Sequence, residues 1–172
     1  LEIVELPDSV TEIDNSALSY CSSLNTVILA EGLKKIHKSV FKGCYLLENI
    51  TLPESLESVG DSAFKYCYSL INIKIPEKVT SIETDTFYDC SSLESVTIPG
   101  NVSSIGISAF NGCDALTKVN YTAESSKWDE INIGTGNGAL FNAEIIFSDT
   151  PEDEPPTENE DLGEGFVAQI LT

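Results

Sequence analysis

Apolar residues recur along this chain every 23 positions, and the polar positions between them recur in the same frame. Four columns carry the pattern: a cysteine, a bulky residue three places before it, a β-branched aliphatic residue, and a leucine. The columns are Cys21, Cys44, Cys67, Cys90 and Cys113; Leu18, Phe41, Phe64, Phe87 and Phe110; Ile13, Ile36, Val59, Ile82 and Ile105; and Leu24, Leu47, Leu70, Leu93 and Leu116. Five copies in one register predict a solenoid, in which each repeat buries its apolar side by stacking on its neighbours.

Each repeat predicts a short strand, a turn and one helical turn. Apolar and polar residues alternate in ITL at 50–52 and VTI at 96–98, which is typical of a strand with one buried face. A proline (Ala30 in the second copy) follows the strands and ends the ladder, because proline has no N–H to donate. Ser62 and its counterparts resemble helix N-caps, so we expect one helical turn over residues 64–67 and at the equivalent positions.

The outward-facing strand residues of successive repeats should form one continuous surface, which we call the strand face. By register it contains Thr26, Ile28, Asn49, Thr51, Asn72, Lys74, Ser95, Thr97, Lys118 and Asn120. Short polar side chains dominate, and this composition suits hydrogen bonding to an extended protein or to a glycan. The same residue types are also ordinary on a solvent-exposed β-face, so the pattern leaves a binding role and a merely soluble face equally open.

The copy at residues 90–113, CSSLESVTIPGNVSSIGISAFNGC, resembles the BspA-like, Treponema-type leucine-rich repeat of bacterial surface proteins, and the resemblance extends over residues 1 to about 147. It implies an α/β repeat fold: a right-handed leucine-rich-repeat solenoid with a parallel β-sheet on one face and short helical turns on the other. It also implies a non-enzymatic, extracellular adhesion or protein-interaction module, with a host matrix protein or another cell surface as partner. The alternative is a carbohydrate-recognition or spacer module of a larger secreted or surface protein.

Four regions follow from the composition. Residues 1–118 hold about five repeats, and 119–147 form a C-terminal capping segment with the only tryptophan, Trp128, and a final strand-like run at 143–147. Residues 148–165 are acidic and proline-rich and predict an extended linker. The apolar tail at 166–172 is expected to open a further domain or to dock on a neighbour. Because Leu1 already lies in the repeat frame, we expect the chain to be part of a longer protein whose secretory leader lies elsewhere.

The charge distribution argues against several classes of partner. The formal net charge is −19 at pH 7, the chain contains no arginine, and residues 148–172 carry eight acidic side chains without a lysine. Nucleic-acid binding needs a basic footprint, and an anionic membrane surface is disfavoured for the same reason. No apolar run approaches the roughly 18 residues of a membrane helix. We therefore expect no nucleic-acid partner and no membrane insertion in this piece.

The cysteines predict neither a zinc site nor a disulfide framework. Zinc sites usually pair close ligands such as CxxC, and none occurs here. Stacked repeats keep equivalent Cβ atoms near ~4.8 Å, against the roughly 3.8 Å of a disulfide. We expect a column of buried, reduced thiols that pack as small hydrophobic side chains.

Catalytic, metal and cofactor sites find little support. His37 is the only histidine, a Ser or Cys nucleophile needs a positioned base, and the counterparts of His37 vary as expected of a tolerant surface turn: Asp14, Gly60, Glu83 and Gly106. The glycine-rich run at 134–138 lacks the GK[ST] ending of a phosphate loop and predicts a turn in the cap. The carboxylates of the linker match no calcium loop. We predict no catalytic residue, metal or cofactor.

Overall fold

The computed structural model describes residues 1–148. The predicted tail and all of the predicted linker after Ser148 lie outside the described residues. The strands are β1 (Ile3–Glu5), β2 (Glu12–Ile13), β3 (Thr26–Ile28), β4 (Lys35–Ile36), β5 (Ser58–Val59), β6 (Asn72–Lys74), β7 (Ser81–Ile82), β8 (Ser95–Ile98), β9 (Ser104–Ile105), β10 (Lys118–Tyr121), β11 (Asn132–Ile133) and β12 (Glu144–Phe147). The helices are α1 (Ser125–Trp128) and α2 (Gly138–Asn142).

The longer strands build one main parallel sheet along one side of the molecule. Its order is β1-β3, then the single residue Asn49, then β6-β8-β10-β12. Equivalent residues of neighbouring repeats lie side by side, as in Val4 opposite Val27 and Val96 opposite Val119. The apolar columns of the sequence therefore become columns in space, and the predicted leucine-rich-repeat solenoid is confirmed.

The two-residue strands form a second parallel array, in the order β2-β4-β5 and β7-β9-β11. Each contributes one buried β-branched residue, such as Ile36 or Ile82. The array is interrupted between β5 and β7, which lie in consecutive repeats. Strand β5 belongs to the same repeat as Asn49, the repeat that contributes only one residue to the main sheet.

The bulky column forms a stack of rings through the centre of the solenoid. The ring centroids of Phe41 and Phe64 lie 5.2 Å apart, those of Phe64 and Phe87 5.5 Å, and those of Phe87 and Phe110 5.2 Å, all in stacked geometry. None of these four side chains is exposed to solvent. Burial of each ring contributes roughly 1.5–3 kcal/mol before conformational entropy is subtracted.

The segments predicted as helical turns are β-turns instead, and the first helix of the chain is α1 at Ser125. Amides alternate between two kinds of acceptor: Phe64 N–H donates to Thr86 of the next repeat (2.9 Å), whereas Cys67 N–H closes a turn onto Phe64 (3.1 Å). Ser62 has φ 55°, not the extended backbone of an N-cap. A continuous helix is prevented because every second amide is committed to the neighbouring repeat.

The predicted strand at 50–52 is also wrong in part. Ile50 and Leu52 are buried and Thr51 is exposed, as the alternation predicts, but only Asn49 joins the ladder. In the repeat at 96–98 the same pattern does form a strand, β8. Alternation determines which side chains face the core, whereas lateral pairing depends on how closely the flanking repeats approach.

The turn that contains His37 is less tolerant than its variability predicted. A Cβ added at Gly106 would lie 2.4 Å from the amide nitrogen of Thr84, and one added at Gly60 would lie 2.7 Å from that of Lys38. Two repeats therefore need glycine because the backbone of the preceding repeat passes directly against them.

The last layer of the array is closed by β10, α1 and β12. Trp128 is buried, and its ring centroid lies 5.2 Å from that of Tyr121 and 6.4 Å from that of Phe147, with edge contacts to both. Strand β12 pairs with β10 where a further repeat would otherwise stack. The division of the chain into repeats, cap, linker and tail stays a prediction.

Asn137 completes the hydrogen bonding of this end. In earlier repeats the amide of the bulky residue donates to a backbone carbonyl of the next repeat, as Phe87 does to Ala109 (2.8 Å). At Phe110 the acceptor is Asn137 Oδ1 (2.9 Å), and Asn137 Nδ2 donates to the carbonyls of Gly106 (2.9 Å) and Gly134 (2.8 Å). The buried amide side chain of Asn137 thus takes the place of the backbone carbonyl that accepts this bond in the earlier repeats.

Candidate functional site

The structure brings the predicted strand-face residues together on the outer side of the main sheet. Eight of them lie in β3, β6, β8 and β10, each alternating with a buried neighbour such as Val27 or Ile73. Asn49 lies in the single-residue bridge between β3 and β6, and Thr51 lies beyond the ladder but remains exposed. All ten side chains are exposed or half-buried, so the surface predicted from register exists as one face.

A depression of about 430 Å³ lies in the middle of this face. Six predicted residues line it: Asn49, Thr51, Asn72, Lys74, Ser95 and Thr97. Ile28 instead borders a neighbouring depression of about 180 Å³, which Thr51 also lines. Thr26, Lys118 and Asn120 lie on the same sheet outside both depressions.

Hydrogen bonds and one ion pair organise the side chains of the larger depression. Ser95 Oγ donates to Asn72 Oδ1 at 2.6 Å, and Lys74 Nζ donates to Glu54 Oε1 at 2.8 Å. The hydrogen bond that Lys74 donates to the Glu54 carboxylate raises the pKa of Lys74. Among the described residues that line the depression, only Glu54 and Lys74 are charged, and their opposite charges balance.

Sequence reasoning missed Glu54 as part of this surface. The residue follows Pro53, outside the strand register from which the face was assembled. Its reach across to Lys74 in the next repeat depends on the turn that Leu56 N–H closes onto the Pro53 carbonyl at 3.0 Å. The opposite charges of Glu54 and Lys74, 20 residues apart in successive repeats, could have indicated this contact.

Sequence reasoning also missed a tyrosine cluster on the turn side of the solenoid. Tyr45 and Tyr68 stack with centroids 5.2 Å apart, and Tyr66 and Tyr88 meet edge to face at 5.8 Å. Lys65 Nζ lies 4.1 Å from the Tyr88 centroid and 2.7 Å from Asp85 Oδ2. These tyrosines fall within two positions of a cysteine in successive repeats, and this spacing could have identified the cluster.

The cysteine column is free of disulfides and is buried except at the half-buried Cys21. Each buried thiol donates to the carbonyl of the bulky residue in the preceding repeat, as Cys90 does to Phe64 at 3.2 Å. Burial raises the pKa of Cys44 and of Cys113 to about 12 and holds that of Cys67 well above its ordinary value. The thiols are therefore held protonated inside the core.

His37 lies at the surface, away from the strand-face depression. Its Nε2 is 3.2 Å from Glu12 Oε2, and Lys35 Nζ is 3.2 Å from Glu12 Oε1. Hydrogen bonds from His37 and then Lys35 lower the pKa of Glu12. Among residues 1–148, no three His, Cys, Asp or Glu side chains gather as a metal site. No helix in that range is long and apolar enough to span a membrane.

Fold and surface together define a leucine-rich-repeat solenoid that presents a polar sheet. A family model described as the BspA type leucine-rich repeat region, in six copies, matches residues 1–117. The chain belongs to the BspA-type leucine-rich repeat family, whose repeats are typical of bacterial surface proteins. A comparison with curated proteins gives no match.

Solved structures agree with this family. A leucine-rich repeat protein of T. pallidum is 28% identical with a TM-score of 0.73, and the match covers 83% of this chain and 64% of that one. A leucine-rich repeat protein from Eubacterium ventriosum is 19% identical with a TM-score of 0.68, covering 91% of this chain and 45% of that one. The pneumococcal vaccine antigen PcpA is 21% identical with a TM-score of 0.61, covering 85% of this chain and 41% of the antigen. This chain thus spans less than two thirds of each of these structures.

Proposed function

We propose that this chain is a non-enzymatic, extracellular protein-interaction module of a bacterial cell-surface protein, and that its partner binds the strand face. The observation that carries the proposal is the central depression, which six independently predicted strand-face residues line. Membership of a family typical of bacterial surface proteins supports the extracellular setting. Adhesion to a matrix protein or to another cell is the activity that we expect.

The chemistry of the depression favours a polypeptide partner. Five of the ten described residues that line it carry short, neutral side chains that donate or accept hydrogen bonds, and these allow the backbone of a partner to approach closely. None of the residues lining the two depressions is aromatic, whereas small-molecule pockets are lined mainly by apolar and aromatic side chains. The overall acidity of the chain selects against polyanionic partners by repulsion.

The proposal is tested by screening residues 1–172 for binding to purified matrix proteins and to a glycan array. The decisive variant is Asn72→Arg, which places a long charged side chain in the depression, and the matched control is Asn142→Arg at an exposed position on α2. We expect a protein ligand whose binding is lost in the first variant and retained in the second. Both variants are checked for folding by circular dichroism.

Other results would identify the alternatives. Saturable binding of a free sugar that Asn72→Arg abolishes would make the chain a carbohydrate-recognition module. Absence of any binding in the screen would favour a spacer role within a larger surface protein. Protein binding that both variants retain would place the contact away from the strand face.

A further inference from the structure

Over the described residues, the main sheet lacks two backbone hydrogen bonds between neighbouring repeats, one on each side of Thr51, and we call each of these positions an open rung. Where the sheet is intact, the amide at this level donates to the next repeat: Leu6 N–H to Ile28 (2.9 Å) and Ile75 N–H to Thr97 (2.9 Å). Among residues 1–148, the equivalent amides of Leu29 and Leu52 take part in no hydrogen bond, and neither does the backbone of Thr51. Within this range, the bonds from Leu29 to Thr51 and from Leu52 to Lys74 are therefore absent in two successive pairs of repeats.

Each open rung borders one of the two depressions on the strand face. Leu52, Thr51 and Lys74 line the larger depression, and Leu29 and Thr51 line the smaller one. Thr51 thus lies between the two depressions, which we also call recesses. Each recess is lined by one buried residue whose amide makes no hydrogen bond in the described part of the chain, Leu52 in the larger and Leu29 in the smaller.

The opening next to Leu52 continues into the second array of strands. Gly60 N–H donates to Ile36 at 2.8 Å and Gly106 N–H to Ile82 at 2.7 Å, but within the described chain Glu83 N–H makes no equivalent bond to Val59. On the turn side the same two repeats remain joined, with Phe64 N–H donating to Thr86 at 2.9 Å. The separation is therefore a wedge that is widest near the strands and closed behind them.

The chemistry of these groups determines what fits them. An unsatisfied buried amide costs on the order of 1–3 kcal/mol, so a ligand that supplies an acceptor to each amide gains that energy. The Thr51 carbonyl between the two amides needs a donor. An extended polypeptide offers carbonyl and N–H groups alternately along its length, with groups of one kind about 6.8 Å apart, so it can supply acceptors for the amides and a donor for the Thr51 carbonyl.

We propose that the two recesses flanking Thr51 bind an extended peptide segment of the partner through main-chain hydrogen bonds to Leu29, Thr51 and Leu52. The proposal rests on the interaction function proposed above and specifies the ligand class. Peptides recognised in this way gain affinity from backbone bonds and specificity from alternate side chains. Ile28, 52% exposed beside the smaller recess, offers an apolar contact for one such side chain.

The state of the two rungs is tested directly by amide hydrogen exchange on residues 1–172. We expect the Leu29 and Leu52 amides to exchange at least tenfold faster than the Ile75 amide, whose bond to Thr97 is made. Equal protection of all three amides would show that the rungs are closed and would overturn the proposal.

Ligand class is tested by panning a displayed library of short linear peptides on the same chain. Recovered peptides should bind about tenfold more weakly to Thr51→Arg and equally well to Thr11→Arg, a matched change at another exposed threonine. Methylation of one central peptide nitrogen should weaken binding by up to about tenfold, the worth of one hydrogen bond. Binding should also slow exchange of the Leu29 and Leu52 amides.

Three results would overturn the peptide proposal. They are recovery of no peptide, recovery only of peptides that bind Thr51→Arg normally, and protection of the two amides by a glycan alone. A matrix protein whose binding depends on Asn72 would then leave the strand-face function standing while the peptide-binding recesses fall. If no ligand of any kind depends on Asn72 or Thr51, both proposals fail.

Discussion

Asn137 shows how a single side chain can take the place of a backbone acceptor at the end of the array. Its Oδ1 accepts from the Phe110 amide and its Nδ2 donates to two carbonyls, so three backbone groups at the end of the array depend on it. A backbone group left buried without a partner costs more than the hydrogen bond contributes when made. The polar interior at this end of the array is therefore sensitive to one residue.

Replacement of this residue by alanine should be strongly destabilising. Asn137→Ala leaves the buried Phe110 amide without its acceptor, and we expect a loss of about 1–3 kcal/mol in the free energy of unfolding, measured by urea denaturation. The control Asn142→Ala, at an exposed residue of α2, should change stability by less than about 0.5 kcal/mol. Equal effects of the two changes would contradict the capping role.

Gly106 is constrained by space and not by its backbone angles. Gly106→Ala would place a Cβ 2.4 Å from the Thr84 nitrogen, and separating the two repeats should cost about 1–3 kcal/mol. Gly138→Ala is the matched control, because no heavy atom lies within 4 Å of the added Cβ there. A thermal melt of the two variants decides the point: an unchanged midpoint for Gly106→Ala would show that the stacked backbones can separate freely.

At the scale of the structural element, the repeat is held by bonds that alternate between its own turn and the next repeat. The cysteine column belongs to this scheme, since each buried thiol donates to a carbonyl of the preceding turn, as Cys67 does to Phe41 at 3.2 Å. Cysteine in this column is thus both a small apolar filler and a hydrogen-bond donor. The column links neighbouring turns without covalent bonds.

Thiol reactivity should follow burial along this column. Since burial raises the pKa of Cys44 and Cys113 to about 12, their thiols stay protonated at pH 8, and the reactive thiolate is scarce. We expect iodoacetamide at pH 8 to modify only the half-buried Cys21 in the native protein and all five cysteines after unfolding in guanidinium. Peptide mapping by mass spectrometry reads out each site, and rapid native labelling of Cys67 or Cys90 would refute the buried column.

At the scale of the whole molecule, stability is distributed along one dimension, because each repeat contacts chiefly its neighbours. The first layer has a neighbour on one side within the described chain, and Val4, Leu18 and Cys21 are only partly buried there. Central layers are covered on both sides. The same substitution should therefore have different consequences at the end and in the middle of the array.

Leu24 and Leu70 form a matched pair for this comparison, since both are fully buried members of the same column. Either change to alanine removes the same side-chain atoms, at a cost of about 2–5 kcal/mol. We expect Leu24→Ala to accelerate hydrogen exchange mainly in the first repeat, and Leu70→Ala to accelerate it in the repeats on both sides. A uniform increase along the chain in both variants would indicate a single cooperative unit instead.

Much of the fold could be read from periodicity, and the limits of that reading are physical. The columns at Phe64, Cys67 and Leu70 and the composition of the strand face are consequences of register, which a regular repeat specifies completely. The positive φ of Ser62 and the side-chain capping by Asn137 depend instead on which backbone groups the neighbouring layer leaves unpaired. No local pattern carries that information.

By itself, the sequence determined the solenoid, its buried columns and the face on which Asn49, Asn72 and Thr97 lie, because burial follows from side-chain alternation and from the repeat length. Only the tertiary structure decided that the turns are not helical, that Gly106 must stay small, and that the rungs on either side of Thr51 stay open. Those features depend on the distance between one repeat and the next. That distance is set by the packing of all the layers together, so it has no signature in a single repeat.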